Sequence, residues 1–274
     1  MTVVLVVVAG ALIGLSLGAL GGGGSILAVP VLVYLLGQSA VQATTGSLVV
    51  VGVTSVLGAI TAYRTGNVLL GRGVAFGSVA IGGAVLGAQA STHVPQKVLM
   101  ATFAVLMLIV AGIMAWRRSR RSRRTPHRLA GRPSLDDPII TFSPTFACAC
   151  PRAAGVLVTA TVVGLLTGFL GVGGGFLVVP ALLLALGLPI RFAAGTSLVV
   201  ITITSAAALA ARAGSGAGPD WGVVLLLTAV SASAAVIGAR FANRVDSDHL
   251  SAAFTVLVLG VAVYTAIQAL PALA

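Results

Sequence analysis

A glycine-rich motif that occurs twice constrains the fold of this chain more than any other feature. GGGGSILAVP occupies residues 21–30, and GVGGGFLVVP occupies residues 171–180. The offset of 150 between the two motifs holds without a gap over residues 14–55 and 164–205, and nearer the ends of the two copies it becomes 151. Repeats of this length are too long for a solenoid, whose units run about 20 to 50 residues. The chain is therefore a duplication of two homologous halves.

The composition places both halves in a bilayer. The chain of 274 residues is 58% hydrophobic and 8% charged, with a mean hydropathy of +1.13. A soluble domain cannot bury that much apolar surface and still cover its outside with polar groups. The sequence therefore predicts an all-α polytopic membrane protein.

Half of the basic residues lie in one run between the two apolar halves. Residues 117–132, RRSRRSRRTPHRLAGR, hold eight of the sixteen. The positive-inside rule predicts a cytoplasmic linker, and a run of this kind can also bind anionic lipids, whereas a nucleic-acid partner is disfavoured. We expect a first transmembrane repeat over 1–116, a basic linker over 117–152 and a second repeat over 153–274, in the cytoplasmic (inner) membrane. No cleaved signal peptide is expected at the N-terminus.

The first apolar segment of each half is too long for a plain crossing. The segments run approximately over 3–36, 40–63, 68–90 and 97–116, and again over 154–187, 190–213, 221–240 and 249–270. A helix of the first length would span about 51 Å, whereas a tilted crossing of the hydrocarbon core needs only about 39 Å. Adjacent glycines at 21–24 favour a break, so we expect a re-entrant hairpin followed by about three transmembrane helices.

Charge placement favours an inverted relation between the halves. If each first segment returns to its own side, each half makes an odd number of crossings and the second half is turned over. The positive-inside rule prefers this arrangement over a parallel one. Lys97 and Arg212 then lie on the outer side, and the cytoplasmic side receives Arg64, Arg72, Arg152, Arg191, Arg240 and Arg244.

The two glycine breaks are the candidate binding site. Half-helices beginning near Ser25 and Phe176 would present free N–H groups and positive dipole ends to a shared cavity, which suits an anion. Scattered glycines such as Gly14 and Gly18 are instead expected to pack helices closely. Hydroxyls after each break could donate to an oxyanion, or equally could bond back to their own helix carbonyls. The candidate substrate-binding residues are Gly21, Gly22, Gly23, Gly24, Ser25, Ser47, Thr54, Gly171, Gly173, Gly174, Gly175, Phe176, Thr196, Ser197 and Thr204.

Acidic residues are missing from the apolar segments. The chain has no Glu, and each Asp lies in or beside an expected loop. This disfavours a proton relay through side chains and an intramembrane enzyme, and we expect no cofactor and no metal site. Cys148 and Cys150 form a CAC pair at the end of the linker, which is more simply explained as two small membrane-edge residues than as a metal or sulfur site.

These motifs, together with GTSL (195–198) and VIGARFANRV (236–245), resemble the TauE/SafE sulfite exporter family over nearly the whole chain apart from the basic linker. The resemblance implies a membrane transporter for sulfur-containing anions such as sulfite, sulfoacetate or other organosulfonates. The first half reads TTGSL (44–48) where the second reads AGTSL (194–198), so the two half-sites need not be equivalent. An anion channel or uniporter is the alternative.

Overall fold

Within the residues that the computed structural model describes, every regular element is a helix. These residues are 2–91, 93–122, 150–171, 174–213, 218–242, 245 and 247–273. The helices are α1 (Thr2–Leu20), α2 (Ser25–Pro30), α3 (Ala40–Arg64), α4 (Leu70–Ser91), α5 (Gln96–Ser122), α6 (Cys150–Leu170), α7 (Gly175–Ala185), α8 (Ile190–Arg212), α9 (Trp221–Ala242) and α10 (Ser247–Leu273). Cys148, Gly173 and linker residues 123–149 lie outside the described residues, as does the side chain of Cys150.

The first apolar segment of each half divides into two helices. In the first half, α1 ends at Leu20 and α2 begins at Ser25. The helix of α2 then widens into a π-helix over Val31–Leu35, in which the Leu36 N–H donates to the Val31 carbonyl at 3.1 Å. The widening follows Pro30, which has no N–H to donate to the preceding turn.

The outer surface of the protein suits a hydrocarbon solvent. Five of the described helices, namely α1, α3, α4, α8 and α9, are long and apolar enough to cross a membrane. Large apolar side chains such as Val4, Leu86 and Val256 are mostly exposed on these and neighbouring helices. In water such a surface would be unfavourable, whereas in lipid it is matched by the solvent. The prediction of an all-helical polytopic membrane protein is confirmed.

Glycines allow the first helix of each half to pack closely on a helix of the other half. A Cβ atom on Gly14 or Gly18 of α1 would collide with the carbonyl of Ser231 or Ala235 of α9. The packing role expected for these two glycines is confirmed. Because residue numbers rise together along this contact, α1 and α9 run in the same direction.

The equivalent contact in the other pair of helices has the same form. A Cβ atom on Gly83 or Gly87 of α4 would collide with the carbonyl of Thr161 or Leu165 of α6. Helices α4 and α6 therefore also run in the same direction. The first helix of each half, α1 or α6, therefore packs against a helix of the other half.

Helices α3 and α8 cross at the centre of the molecule. A Cβ atom on Gly52 would lie 3.3 Å from the Cβ of Ser205, and one on Gly58 would lie 3.1 Å from Leu198. Residue numbers fall along α8 as they rise along α3, so these equivalent helices are antiparallel. The short helices α2 and α7 lie in the same core, where Ile26 and Phe176 are fully buried.

Candidate functional site

The two glycine segments meet in the core of the protein. A Cβ atom on Gly22 would collide with the carbonyl group of Gly175. Conversely, a Cβ atom on Gly175 would lie 2.8 Å from the Gly22 Cα and 2.9 Å from the Ser25 Oγ. Only glycine allows two backbones to approach this closely. The fold therefore brings together the two segments that the sequence predicted to form one site.

Positive φ angles occur at matching positions of the two segments. Gly21 has φ +72° and Gly171 has φ +64°, a left-handed conformation that side chains with a Cβ rarely adopt. The segments then differ, because Gly174 has φ +65° whereas its equivalent Gly24 is right-handed with φ −68°. The two half-sites are therefore not identical in backbone geometry.

Two equivalent serines attach each glycine segment to the other half. Ser197 of α8 donates a hydrogen bond from its Oγ to the Gly21 carbonyl at 2.8 Å, and Ser47 of α3 donates to the Gly171 carbonyl. Each hydroxyl also lies within hydrogen-bond distance of a carbonyl of its own helix, that of Ala194 or Thr44. Since a hydroxyl has one proton, these carbonyls occupy the donor that an oxyanion would need.

The other candidate hydroxyls have separate environments. The Thr204 hydroxyl donates to the Val200 carbonyl of its own helix at 3.0 Å. Thr196 instead accepts a hydrogen bond from the backbone N–H of Leu69 at 3.1 Å, on the side of α8 that faces α4. Thr54 is fully buried, and its hydroxyl has no hydrogen-bond partner among the described residues.

The residues that begin the two short helices are held by local contacts. The Ser25 hydroxyl donates to the Gly22 carbonyl at 2.7 Å. Phe176 packs edge to face on Phe103 of α5, with 6.3 Å between the ring centroids. Of the remaining candidates, Gly23 lies beside Leu20, Gly24 packs on α1, and Gly173 lies outside the described residues.

Metal ligands do not cluster in the described part of the chain. No group of three or more His, Cys, Asp or Glu side chains is placed there to hold an ion. Asp220, at the start of α9, accepts hydrogen bonds from the backbone N–H groups of Gly222 and Val223 and so caps that helix.

Sequence reasoning missed one buried cation, Arg212 at the end of α8. The sequence predicted its membrane side, the outer one, and not its burial, yet its side chain is only 5% exposed. Its guanidinium donates to the hydroxyls of Thr44 and Ser91, each at 2.7 Å, and to the Gly168 carbonyl at 3.0 Å. An arginine at the end of an apolar segment usually lies at the membrane surface. The one signal in the sequence was that the duplication places Ala62 opposite it.

The helical fold and the lipid-compatible surface define a polytopic helical membrane protein, in whose core the two glycine segments are in contact. Residues 6–265 match the family model described as "Sulfite exporter TauE/SafE", so the chain belongs to that family.

Curated relatives carry transporter names. A protein of Xylella fastidiosa (strain Temecula1) named "Probable membrane transporter protein" is 30% identical over 93% of this chain and 91% of its own length. The "Probable membrane transporter protein YunE" of Bacillus subtilis is 27% identical over 73% of this chain and 74% of its own length. No solved structure matches this chain significantly. The family and the relatives together establish a membrane transporter.

Proposed function

We propose that this protein transports a small sulfur-containing anion, such as sulfite, sulfoacetate or another organosulfonate, across the cytoplasmic membrane. The anion binds where the glycine segments 21–25 and 171–176 meet. The observation that carries this proposal is the backbone contact between Gly22 and Gly175, which joins two helix starts in the protein core. The sulfur class comes from the family description, which names a sulfite exporter.

The proposal treats the two halves as an inverted repeat. Helix α1 runs with α9, α4 runs with α6, and α3 runs against its equivalent α8. Gly73 and Gly77 of α4 face Thr196 and Ile203 of α8, so α4 also runs with α8. In this arrangement equivalent helices have opposite directions, as a pseudo-two-fold axis in the membrane plane requires.

Each glycine segment is proposed to form the turn of a re-entrant hairpin. A Cβ atom on Gly24 would collide with the Ile13 carbonyl and lie 2.5 Å from the Leu17 N, so the start of α2 lies beside the last two turns of α1. The helical stretch from Ser25 to Leu35 is about 16 Å long, roughly half of the thickness of the hydrocarbon core. Non-helical backbone at this depth is tolerated because protein covers it.

An anion at this site would be held mainly by backbone N–H groups at the starts of α2 and α7. The positive end of each helix dipole points toward the glycine segments, and the chain places no acidic residue in its apolar segments to repel an anion. Ser47 and Ser197 already donate to the Gly171 and Gly21 carbonyls, so their role in the proposal is to hold the two breaks in position. A sulfonate or sulfite offers three oxygens to accept such donors.

Flux measurements in proteoliposomes test the proposal directly. Labelled sulfite and sulfoacetate should enter with saturation, and unlabelled anion on the opposite side should accelerate the flux if the protein is a carrier rather than a channel. Gly175→Leu should abolish flux, because a Cβ there already meets Ile201, Gly22 and Ser25. Gly260→Leu is the matched control, since an added Cβ at Gly260 meets nothing within 4 Å.

The results separate the parts of the proposal. Flux that survives Gly175→Leu would move the binding site elsewhere. Absence of sulfite and sulfoacetate flux from a folded, monodisperse sample would remove the sulfur assignment. An imposed pH gradient tests whether a proton travels with the anion. If it does, the simplest route is that the substrate, as a protonated weak acid, carries the proton itself.

A further inference from the structure

A crevice opens between the halves at one end of the molecule. It is a narrow space of about 30 Å³, and its lining includes Gly18, Ala62, Ala194, Leu198 and Ala239, with Arg191 beside them. Ala62 lies near the end of α3, and Ala194 lies near the start of α8. Because the latter residue also contacts Gly21, the crevice leads toward the first glycine segment. We call it the open crevice.

The duplication defines an equivalent place at the other end of the molecule. With the offset of 150 along α3 and α8, and of 151 along α4 and α9, the lining of the open crevice corresponds to Gly168, Arg212, Thr44, Leu48 and Ala88. These residues lie beside the second glycine segment, since a Cβ atom on Gly171 would lie 2.8 Å from the Thr44 Cα. We call this place the closed mouth.

Equivalent residues at the two ends are similarly buried. Ala194 and its equivalent Thr44 are 7% and 1% exposed, Ala239 and Ala88 are 6% and 0% exposed, and Leu198 and Leu48 are each 1% exposed. The Arg212 side chain fills the position that corresponds to Ala62 in the open crevice. The two ends therefore differ although the two halves are homologous: one has a narrow crevice, and at the equivalent place of the other lies the buried side chain of Arg212.

Hydrogen bonds from Arg212 join the two halves across the closed mouth. The arginine belongs to α8 of the second half, whereas its acceptors Thr44 and Ser91 belong to α3 and α4 of the first half. A third bond reaches the Gly168 carbonyl on α6. Hydrogen bonds from a charged guanidinium are stronger than neutral ones, and they are stronger still away from water. Opening this mouth would have to break the bonds that cross between the halves.

We propose that Arg212 is the latch of one gate, holding the closed mouth shut while the open crevice admits the anion. The inference rests on the proposed carrier function, in which the two mouths open alternately around the glycine segments. With the linker in the cytoplasm, the open crevice faces the cytoplasm and Arg212 seals the outer side. Release of the latch would expose a cation at the outer mouth, where it would attract an anion.

Thiol reactivity at two equivalent alanines tests the latch without any substrate. In a background of Cys148→Ser and Cys150→Ser, single variants Ala88→Cys and Ala239→Cys report on the closed mouth and the open crevice. If Arg212→Ala raises the population with the closed mouth open from about 5% to about 50%, the rate of modification at Ala88→Cys rises about tenfold and that at Ala239→Cys falls about twofold. Arg64→Ala should change neither rate, because Arg64 ends the equivalent helix α3 but is exposed.

Each outcome of this experiment has a definite meaning. Opposite changes at the two thiols support the latch. An unchanged modification rate at Ala88→Cys overturns it. A rise at Ala88→Cys without a fall at Ala239→Cys also overturns it, because Arg212 would then only fill space and would not control an exchange between two conformations. If Arg212→Ala unfolds the protein, both modification rates rise, and Ser91→Ala, which removes one acceptor of Arg212, is measured instead. Smaller but opposite changes in the two rates support the latch, and unchanged rates overturn it. A lack of sulfite flux beside opposite thiol changes would remove the substrate assignment and leave the latch standing.

Discussion

Replacing Gly22 by alanine adds one methyl group at the contact between the two glycine segments. The new Cβ would collide with the carbonyl group of Gly175 and lie 2.9 Å from the Gly175 Cα. Because these are backbone atoms, no side-chain rotation relieves the overlap, and either α2 or α7 must move. Overpacking of this kind costs about 1–3 kcal/mol. We therefore expect Gly22→Ala to lower the free energy of unfolding by about that amount.

The adjacent residue provides a matched control. A Cβ atom on Gly23 would lie 3.1 Å from the Leu20 Cδ1, 3.2 Å from the Leu20 Cβ and 3.4 Å from the Phe254 Cδ2. None of these contacts is to a backbone atom or shorter than 3.0 Å, so a shift of a few tenths of an ångström relieves them, and alanine also reduces the conformational entropy of the unfolded chain. Gly23→Ala should therefore change stability by less than about 1 kcal/mol.

Transport should separate the two variants more clearly than stability does. Displacing a helix start by the size of a methyl overlap would weaken at least one hydrogen bond from an N–H to the bound anion. Hydrogen bonds to charged groups contribute about 1.5–3 kcal/mol, so the half-saturating concentration should rise about tenfold or more for Gly22→Ala. For Gly23→Ala it should change less than about threefold. The assay is initial-rate uptake of labelled anion into proteoliposomes, beside thermal denaturation of the same samples in detergent.

Equal effects of the two variants would refute this reasoning. If both lower stability and uptake alike, the glycines matter through general helix propensity, since both positions lose the same backbone freedom. If neither has an effect, the contact between Gly22 and Gly175 does not organise the site.

Contacts outside that central pair also determine stability, and the position of the linker can be tested chemically. Ser197→Ala should lower the free energy of unfolding by about 1–3 kcal/mol, because the buried Gly21 carbonyl loses its donor. The control in the same denaturation series is Ser233→Ala, which removes an exposed hydroxyl bonded to its own helix. Equal losses would contradict the role of Ser197. Gly14→Ala should force α1 away from α9 and cost about 1–3 kcal/mol. Gly112→Ala, at an exposed position of α5, should stabilise by about 0.5–1 kcal/mol in the same assay, since nothing lies within 4 Å of its added Cβ. The positive-inside rule predicts that the basic linker is cytoplasmic, so in right-side-out vesicles the native Cys148 and Cys150 should react with a membrane-impermeant maleimide only after permeabilisation. Labelling of intact vesicles would place the linker outside.

Local sequence signals were sufficient for the helices. The apolar segments expected at 40–63 and 190–213 correspond to α3 at Ala40–Arg64 and α8 at Ile190–Arg212. These boundaries follow from runs of apolar residues between turn residues, and Ser39 with Gln42 forms a capping box that begins α3. The division of the first segments between α1 and α2 followed from length and from adjacent glycines, both of which are local properties.

The detailed contacts of the candidate site depended on tertiary structure. The sequence left open whether Ser47 and Ser197 face a ligand or a helix carbonyl, because one hydroxyl on an apolar helix can do either. The answer came from the position of the other half, whose Gly171 and Gly21 carbonyls lie against these two side chains.

The sequence by itself determined the membrane class, the duplication, the helix boundaries and the family, since each is written in composition, periodicity or a repeated motif. Only the tertiary structure decided that Arg212 is buried and bridges the two halves at one end of the molecule. Arg212 ends an apolar segment as many surface arginines do, and its burial depends on Thr44, Ser91 and Gly168, which lie between 44 and 168 residues away in sequence. Whether a charged side chain is buried depends on the acceptors that packing brings to it, and packing is a property of the whole fold.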